Sequence, residues 1–520
     1  MNKRGLPERT YLGIELGSTR IKACLVDESY APIAQGGYSW ENKHENGYWT
    51  YDISLATEGL RAAFSDLCAS VRELYGEETC APVAIGISGM MHGYLAFDKD
   101  DNLLTPFRTW RNTTTGKAAD ELTHLFGFNI PQRWSISHLY QAILNGEEHL
   151  PRIAHITTLA GYIHYLLTGR WELGVGDASG MFPTVGDGYC EEMLDKFDHL
   201  IADKGYPWKI RDILPAVRLC GDCGARLTES GAALLDETGK LTAGVLVCPP
   251  EGDGDTGMMA TNSIRPRTGN VSAGTSVFSM LVLDKPLGNV YPEIDVIATP
   301  AGHPVAMVHC NNGCSELDAW VRVLGEFAGL MGADVDTSKL YSTLYNNALS
   351  APADCGGVVA YNYLAGEPVA GINNGAPMYF CAEGGRLTLA NFFRAQLYST
   401  VAVLRIGMNI LSDKENITAD TFNAHGGLFK VRGVAQQVLA DALKANVSVS
   451  ESAGEGGAWG MALLAAYAAD GAGMAPDEWL DKCVFASVFT ETLCPTEEGM
   501  GGFDRYFERY ESGLSAQKML

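Results

Sequence analysis

Two stretches of this chain begin alike, and that repetition limits the fold more than any other feature. Thr10-Tyr-Leu-Gly-Ile-Glu-Leu16 is an apolar strand running into Gly17-Ser18-Thr19, and Ile21-Lys-Ala-Cys-Leu-Val26 resumes it. Gly269-Asn-Val-Ser-Ala273 runs into Gly274-Thr275-Ser276, followed by the strand-like Val277-Phe-Ser-Met-Leu-Val-Leu283. A strand, a Gly-Ser/Thr turn and a second strand make a β-hairpin. Its return about 257 residues later predicts a duplicated fold with one hairpin in each of two lobes. At 520 residues the chain is too long for one core and holds two domains of roughly 250 residues each. The polar, proline-containing Asn262-Ser-Ile-Arg-Pro-Arg-Thr268 is the expected crossing, which puts the domains at 8–264 and 265–515.

Between these marks strands alternate with helices. Pro82 to Ser88 reads as a buried strand, preceded by an amphipathic helix over Leu55 to Leu74. Phe392 to Leu411 and Val434 to Leu443 have helical apolar spacing, and Gly457 to Ala469 is a helix rich in small residues that packs closely. The class is α/β.

Charge and cysteine usage narrow the partners. With 38 Lys+Arg against 62 Asp+Glu the net charge is −24, which opposes non-specific nucleic-acid binding. It does not oppose an anionic ligand, because backbone N–H groups and one or two cations suffice for a phosphate. The N-terminus lacks a secretory pattern, and the apolar run Met461 to Ala469 is far below membrane-spanning length. Thirteen scattered cysteines fit a reduced, cytoplasmic protein. The Cys220-Gly-Asp-Cys223 pair lacks the second pair a structural zinc needs, since Cys190 and Cys248 stand alone.

Five motifs carry chemistry. The Gly17-Ser18-Thr19 and Gly274-Thr275-Ser276 turns suit phosphate, which needs N–H donors at close range; either alone is an ordinary hairpin loop. Lys22, just after the first turn, reaches a phosphate or is a solvated strand cation. Glu251-Gly-Asp-Gly-Asp-Thr-Gly257 follows the apolar Val245 to Cys248 and matches the dinucleotide fingerprint G-x-G-x-x-G. Three carboxylates in that loop repel a pyrophosphate, so the match is read as a decoy. The same carboxylates suit a base near magnesium, or a helix cap. No G-x-x-x-x-G-K-[ST] occurs, which removes P-loop chemistry.

Ser88-Gly-Met-Met-His-Gly93 ends the buried strand, where ligands of α/β sheets collect, and its His92 can hydrogen-bond a sugar hydroxyl. Trp110-Arg-Asn112 offers an aromatic face and an amide; a lone Trp is otherwise core. Gly426-Gly427 and Glu455-Gly456-Gly457 let a flat adenine approach backbone, or are simply tight turns.

In order and spacing these pieces resemble the FGGY carbohydrate kinases of the actin-like ATPase superfamily, from Leu12 to about Tyr510, with the greatest likeness to the xylulokinase branch. That branch reads S-G-Q-M-H-G where Ser88–Gly93 stand here, and G-G-G-D-N where Gly252–Thr256 stand. The resemblance implies two actin-like (RNase H-like) ATPase domains around a central cleft. It implies transfer of a phosphoryl group from ATP, with Mg²⁺, to a ketopentose such as D-xylulose. It makes Asp255 the catalytic base, and Met91, His92, Trp110, Asn112 and Thr256 the sugar site with Asp255. Gly17, Ser18, Thr19 and Lys22 become the first phosphate site, Gly274, Thr275 and Ser276 the second, and Gly426 and Gly427 the adenine side. Glu15 stands where the family has a magnesium-placing Asp, with Asp253 as a second candidate. Thr256 stands where xylulokinases have Asn, so the sugar is left open among xylulose, ribulose, rhamnulose, fuculose and glycerol.

The expected partners are a small sugar and ATP, with no nucleic acid or membrane, and a homodimer as one possible assembly. An actin-like ATPase module would keep both phosphate turns but have no use for Ser88–Gly93 or Trp110. A nicotinamide-dependent dehydrogenase leans on the Gly252–Gly257 pattern alone and fails on its charge.

Overall fold

The structure, a computed structural model, describes residues 5–76, 81–451, 456–471 and 473–519. Glu455 and the first four residues of the chain lie outside them. Two compact units result. One runs up to Ile264 and also takes in Val296–Pro304 and a later segment ending at Ser487; the other takes Arg265–Asp295, Val305 onwards and the C-terminal stretch from Val488. The division is therefore not one cut in the chain, because the helix Gly456–Asp470 packs on the strands Tyr11–Leu16 and Ala84–Gly89.

In the first unit the hairpin Tyr11–Leu16/Arg20–Val26 is antiparallel, and Pro32–Ser39 continues it. On its other side Tyr11–Leu16 runs parallel to Ala84–Gly89, which is parallel to Leu246–Val247 and, further along, to Glu251–Gly252. Ala225–Arg226 closes that edge antiparallel. The helix Ile53–Tyr75 covers one face; Asp52 caps it by accepting the Ser54 N–H, and Gly76 ends it at φ 83°. Its buried Ala56, Leu60, Ala63, Phe64 and Leu67 recur at helical spacing and meet Leu12, Ile14, Leu25 and Ile85.

The second unit repeats the same succession of strand directions. Thr268–Ala273 and Val277–Val282 form the antiparallel hairpin, extended by Pro304–Cys310. Thr268–Ala273 is parallel to Thr421–His425, that strand is parallel to Asn446–Ser450, and Thr490–Leu493 is antiparallel to the last. The helix Leu389–Asn409 forms the centre of this core and is buried along almost its whole length, beside Val434–Leu443 and Glu497–Gln517. Among the described residues no helix is long and apolar enough to cross a membrane.

Candidate functional site

Strand alternation sorts the first hairpin. Leu12, Ile14 and Leu16 enter the core, whereas Tyr11, Gly13 and Glu15 face the helix Gly456–Asp470. The Tyr11 hydroxyl donates to Asp470 at the far end of that helix. A Cβ on Gly13 would lie 2.1 Å from the Ala458 carbonyl oxygen, so only glycine allows this approach. Glu15 then meets the first turn of the helix, accepting the Ala458 N–H, where the helix dipole favours a negative charge. Gly457 leaves the carboxylate its room: a Cβ there would stand 2.7 Å from Glu15 Oε1.

Register sets a polar row across the sheet edge. Lys22 stands opposite Glu15, Ser88 stands beside Glu15, and Glu251 beside Ser88. Burial raises the Glu15 pKa and Asp253 adds to the rise, while Lys22 opposes it. Glu15 Oε2 is buried without a hydrogen-bond partner among the described residues.

The helix Asp253–Ala260 starts directly after Glu251–Gly252, so its two aspartates lie in the first turn. Asp255 Oδ2 accepts the Gly252 N–H at 3.3 Å, which is a cap, but Oδ1 is buried and has no partner among the described residues. The residue thus caps its helix with one oxygen and keeps the other unengaged. Its carboxylate rests on Gly176, where a Cβ would come within 2.4 Å of Asp255 Cγ.

Two further acids, not singled out from the sequence as site residues, share this space. Glu251 Oε2 accepts the Asp177 N–H at 2.9 Å, and Asp177 Oδ2 accepts the Thr158 hydroxyl at 2.6 Å. Burial lifts all three carboxyls: Asp177 rises to about 7, and Glu251 and Asp255 go well above their usual values. Asp255 is pushed further by Glu251, Asp177 and Asp253. The signal for Asp177 was the glycine-bracketed Gly174-Val-Gly-Asp-Ala-Ser-Gly180; such spacing marks close backbone approach.

The loop after Ala84–Gly89 is tied to the same helix start. Asp253 Oδ1 accepts N–H groups from Met91 at 3.2 Å and Gly254 at 3.1 Å. Burial raises the Asp253 pKa. His92 adopts φ 67°, and its Nδ1 lies 3.1 Å from the Gly180 carbonyl oxygen. A carbonyl only accepts, so Nδ1 carries the proton and a neutral ring has Nε2 as its acceptor. The ring lies nearly parallel to Trp134, at 6.3 Å between centroids.

The remaining three expected sugar contacts have these surroundings. Asn112 is a main-chain clamp: Oδ1 accepts the Trp49 N–H at 2.8 Å, and Nδ2 donates to the carbonyls of Trp49 at 2.8 Å and Thr109 at 3.0 Å. All of its hydrogen-bonding sites but one lone pair are engaged, so it braces the strand Tyr48–Thr50. Thr256 turns its hydroxyl into its own helix, onto the Asp253 carbonyl at 3.1 Å, with Ser88 Oγ at 3.4 Å. Trp110 is 37% exposed and is not among the core residues.

In the second unit the Gly274–Ser276 turn is closed by a bond from the Gly274 N–H to the Ser276 carbonyl at 2.9 Å. The carbonyls of Gly274 and Thr275 accept the N–H groups of Cys314 and Gly313, each at 2.8 Å. Gly426 follows the strand Thr421–His425 at φ 107°, so close to Ala273 that a Cβ would meet its carbonyl oxygen at 2.3 Å. Gly427 opens the single turn Gly427–Lys430. Cys220 and Cys223 are free thiols.

Comparison with known proteins agrees with this architecture. Residues 10–198 match the N-terminal domain of the FGGY family of carbohydrate kinases, and residues 269–469 match its C-terminal domain. A xylulose kinase of Haemophilus influenzae is 24% identical over 469 residues, covering 86% of this chain and 89% of that one. A gluconokinase of Bacillus subtilis is also 24% identical, over 88% of this chain and 87% of its own length. The crystal structure of a xylulose kinase from Rhodospirillum rubrum superimposes with a TM-score of 0.78 at 20% identity, covering 98% of both chains. With an actin-like fold in two units and matches to both family domains, this chain belongs to the FGGY family of carbohydrate kinases and is a sugar phosphotransferase.

Proposed function

We propose that the enzyme transfers the γ-phosphoryl group of ATP to a hydroxyl of a ketopentose, D-xylulose giving D-xylulose 5-phosphate. The observation that carries this reading is Asp255: a buried carboxylate, one oxygen capping its helix and the other unengaged, beside the Met91–His92 loop. Asp255 Oδ1 takes the proton of the attacking hydroxyl while that oxygen bonds to the γ-phosphorus and the bond to the ADP oxygen breaks. Its raised proton affinity suits it to accept that proton. Asp253 holds Met91 in place through the loop N–H, and His92 accepts from a sugar hydroxyl through Nε2. The N–H groups of Ser18 and Thr19, with Lys22, and those of Thr275 and Ser276 bind phosphate oxygens, in turns that Gly17 and Gly274 close through their own N–H groups; Gly426 and Gly427 receive the adenine. Because the transition state is loose, these groups act mainly by positioning and by neutralising charge.

Mg²⁺ fits the donor set. Magnesium in such sites takes one or two carboxylates and fills its remaining positions with water and phosphate. Glu15 offers an unpartnered buried oxygen, and Asp253 faces it with Oδ1 already engaged. The bound ion supplies charge neutralisation on the phosphate oxygens.

The gluconokinase relative supports a second reading, in which the acceptor is gluconate. The likeness of Ser88–Gly93 to the xylulokinase loop favours the ketopentose over gluconate. An ADP-release assay over D-xylulose, D-ribulose, gluconate and glycerol decides: turnover with D-xylulose at least tenfold above the others is expected, and a preference for gluconate overturns the choice. Asp255→Asn should lower kcat by roughly 10²–10⁴-fold; a rate near wild type would remove Asp255 from its role.

A further inference from the structure

Phosphate oxygens only accept hydrogen bonds, so any carbonyl that a turn points toward them is repulsive. A hairpin turn with glycine at its first position has more than one way to orient its peptide planes. In the first unit the orientation is fixed from outside the turn. The Trp40 indole Nε1–H donates to the Gly17 carbonyl at 2.8 Å, and the Tyr51 hydroxyl donates to the Ser18 carbonyl at 2.6 Å. The Trp40 main-chain N–H takes the Thr19 carbonyl at 3.2 Å. Asn42 Nδ2 approaches the Tyr51 oxygen at 3.5 Å as a donor, consistent with the hydroxyl proton lying on Ser18. Both aromatic residues are buried, their rings are 4.4 Å apart, and Phe107 backs Tyr51 at 6.4 Å. The Gly17 N–H closes the hairpin on the Arg20 carbonyl at 3.0 Å.

We propose that Trp40 and Tyr51 are positioning residues for nucleotide phosphate: by drawing the Gly17 and Ser18 carbonyls into the protein, they leave the turn presenting N–H groups. This rests on the reading of Gly17–Thr19 as a phosphate site. The pair touches neither sugar nor adenine in that reading, so its effect is confined to the phosphate term of nucleotide affinity.

The test is titration of wild type, Tyr51→Phe, Trp40→Phe and the double variant with MgADP and, separately, with adenosine, alongside thermal melts. Each single variant should weaken MgADP roughly threefold to tenfold, the scale of one hydrogen bond, with the double variant weaker still. Adenosine affinity should not move, and in turnover the KM for ATP should rise while that for the sugar holds. A double variant that binds MgADP as wild type does overturns the latch alone. So does equal weakening of adenosine and MgADP, which would mark general loosening of the fold. Wild-type protein that ignores MgADP overturns the phosphate-site reading as well. Should the double variant fail to fold, Tyr51→Phe carries the test by itself, because it removes one oxygen and leaves the ring in place.

Discussion

The carbonyls of the two hairpin turns are held by different parts. In the first, the turn carbonyls are drawn back by an indole, a phenol and one main-chain N–H. In the second, the N–H groups of Gly313 and Cys314, just before the helix Ser315–Leu330, take the carbonyls of Gly274 and Thr275. That segment is itself braced: Asn362 Nδ2 donates to the carbonyls of Asn312 and Gly313, and Glu367 accepts from Asn312. A side-chain brace can be removed one atom at a time. A main-chain brace can be reached only through the geometry of the backbone, so the second turn should respond steeply to change and the first in steps.

Gly313→Ala should give the largest effect. Its Cβ would stand 2.5 Å from the Gly274 carbonyl oxygen and 2.8 Å from Thr275 O, and neither is the end of a flexible side chain. A loss of about 1–3 kcal/mol in stability, with MgADP binding weakened well beyond any single change in the first turn, is expected from denaturant melts and titration. An unaffected Gly313→Ala would break the contrast.

A buried acid makes the stability of the first unit depend on pH. Asp177, raised to about 7 from an ordinary carboxylate value, binds its proton more tightly folded than unfolded. Its contribution to stability is therefore complete below about pH 4 and lost as pH rises through about 7. Melting temperature of the ligand-free protein should fall across that window, and Asp177→Asn should flatten the fall; an identical pH profile would contradict it.

Asn362→Leu removes two hydrogen bonds that steady the Gly313 segment and should cost about 1–3 kcal/mol, visible as a lower melting midpoint with a raised KM for ATP. The smallest change is Asn42→Ala, two steps from the first turn. It should alter MgADP affinity by less than about threefold; a larger effect would mean that the relay through Tyr51 is stiffer than its 3.5 Å contact indicates.

Much of the frame was legible from the sequence, because hairpin and helix signals are local. Val434–Leu443 appears with the expected ends, the second closed by Lys444 at φ 55°. The helix expected from Phe392 starts at Leu389, since Thr388 caps it by accepting the Asn391 N–H at 3.1 Å; the aromatic residues drew attention past the cap. The helices Gly116–Phe126, Ser135–Asn145 and Leu159–Thr168 were not read from the sequence, although each ends at a left-handed glycine that serves as a stop signal. Met91, His92, Glu15, Lys22 and Asp255 stood out as chemical types in characteristic turns, and the first unit gathers them. Trp40 and Tyr51 did not, since nothing in their own neighbourhood tells what they touch, and Asp177 was marked only by the glycines that bracket it. Asn112 shows the converse: its residue type suited a sugar, but its neighbours in space are main-chain groups.

The seat of the helix Gly456–Asp470 has a consequence for how the enzyme can change over time. It rests at three places where a methyl group is missing: Gly13 under Ala458, Gly86 under Met461, and Gly460 against the Thr256 carbonyl. At Gly13 and Gly460 the facing atoms are main chain and cannot yield, whereas at Gly86 they are the Met461 carbonyl and the end of its side chain. The alignment of Glu15 with the end of that helix is thus maintained by atoms that are not there. Drift at any of the three glycines would miscalibrate the carboxylate without touching it.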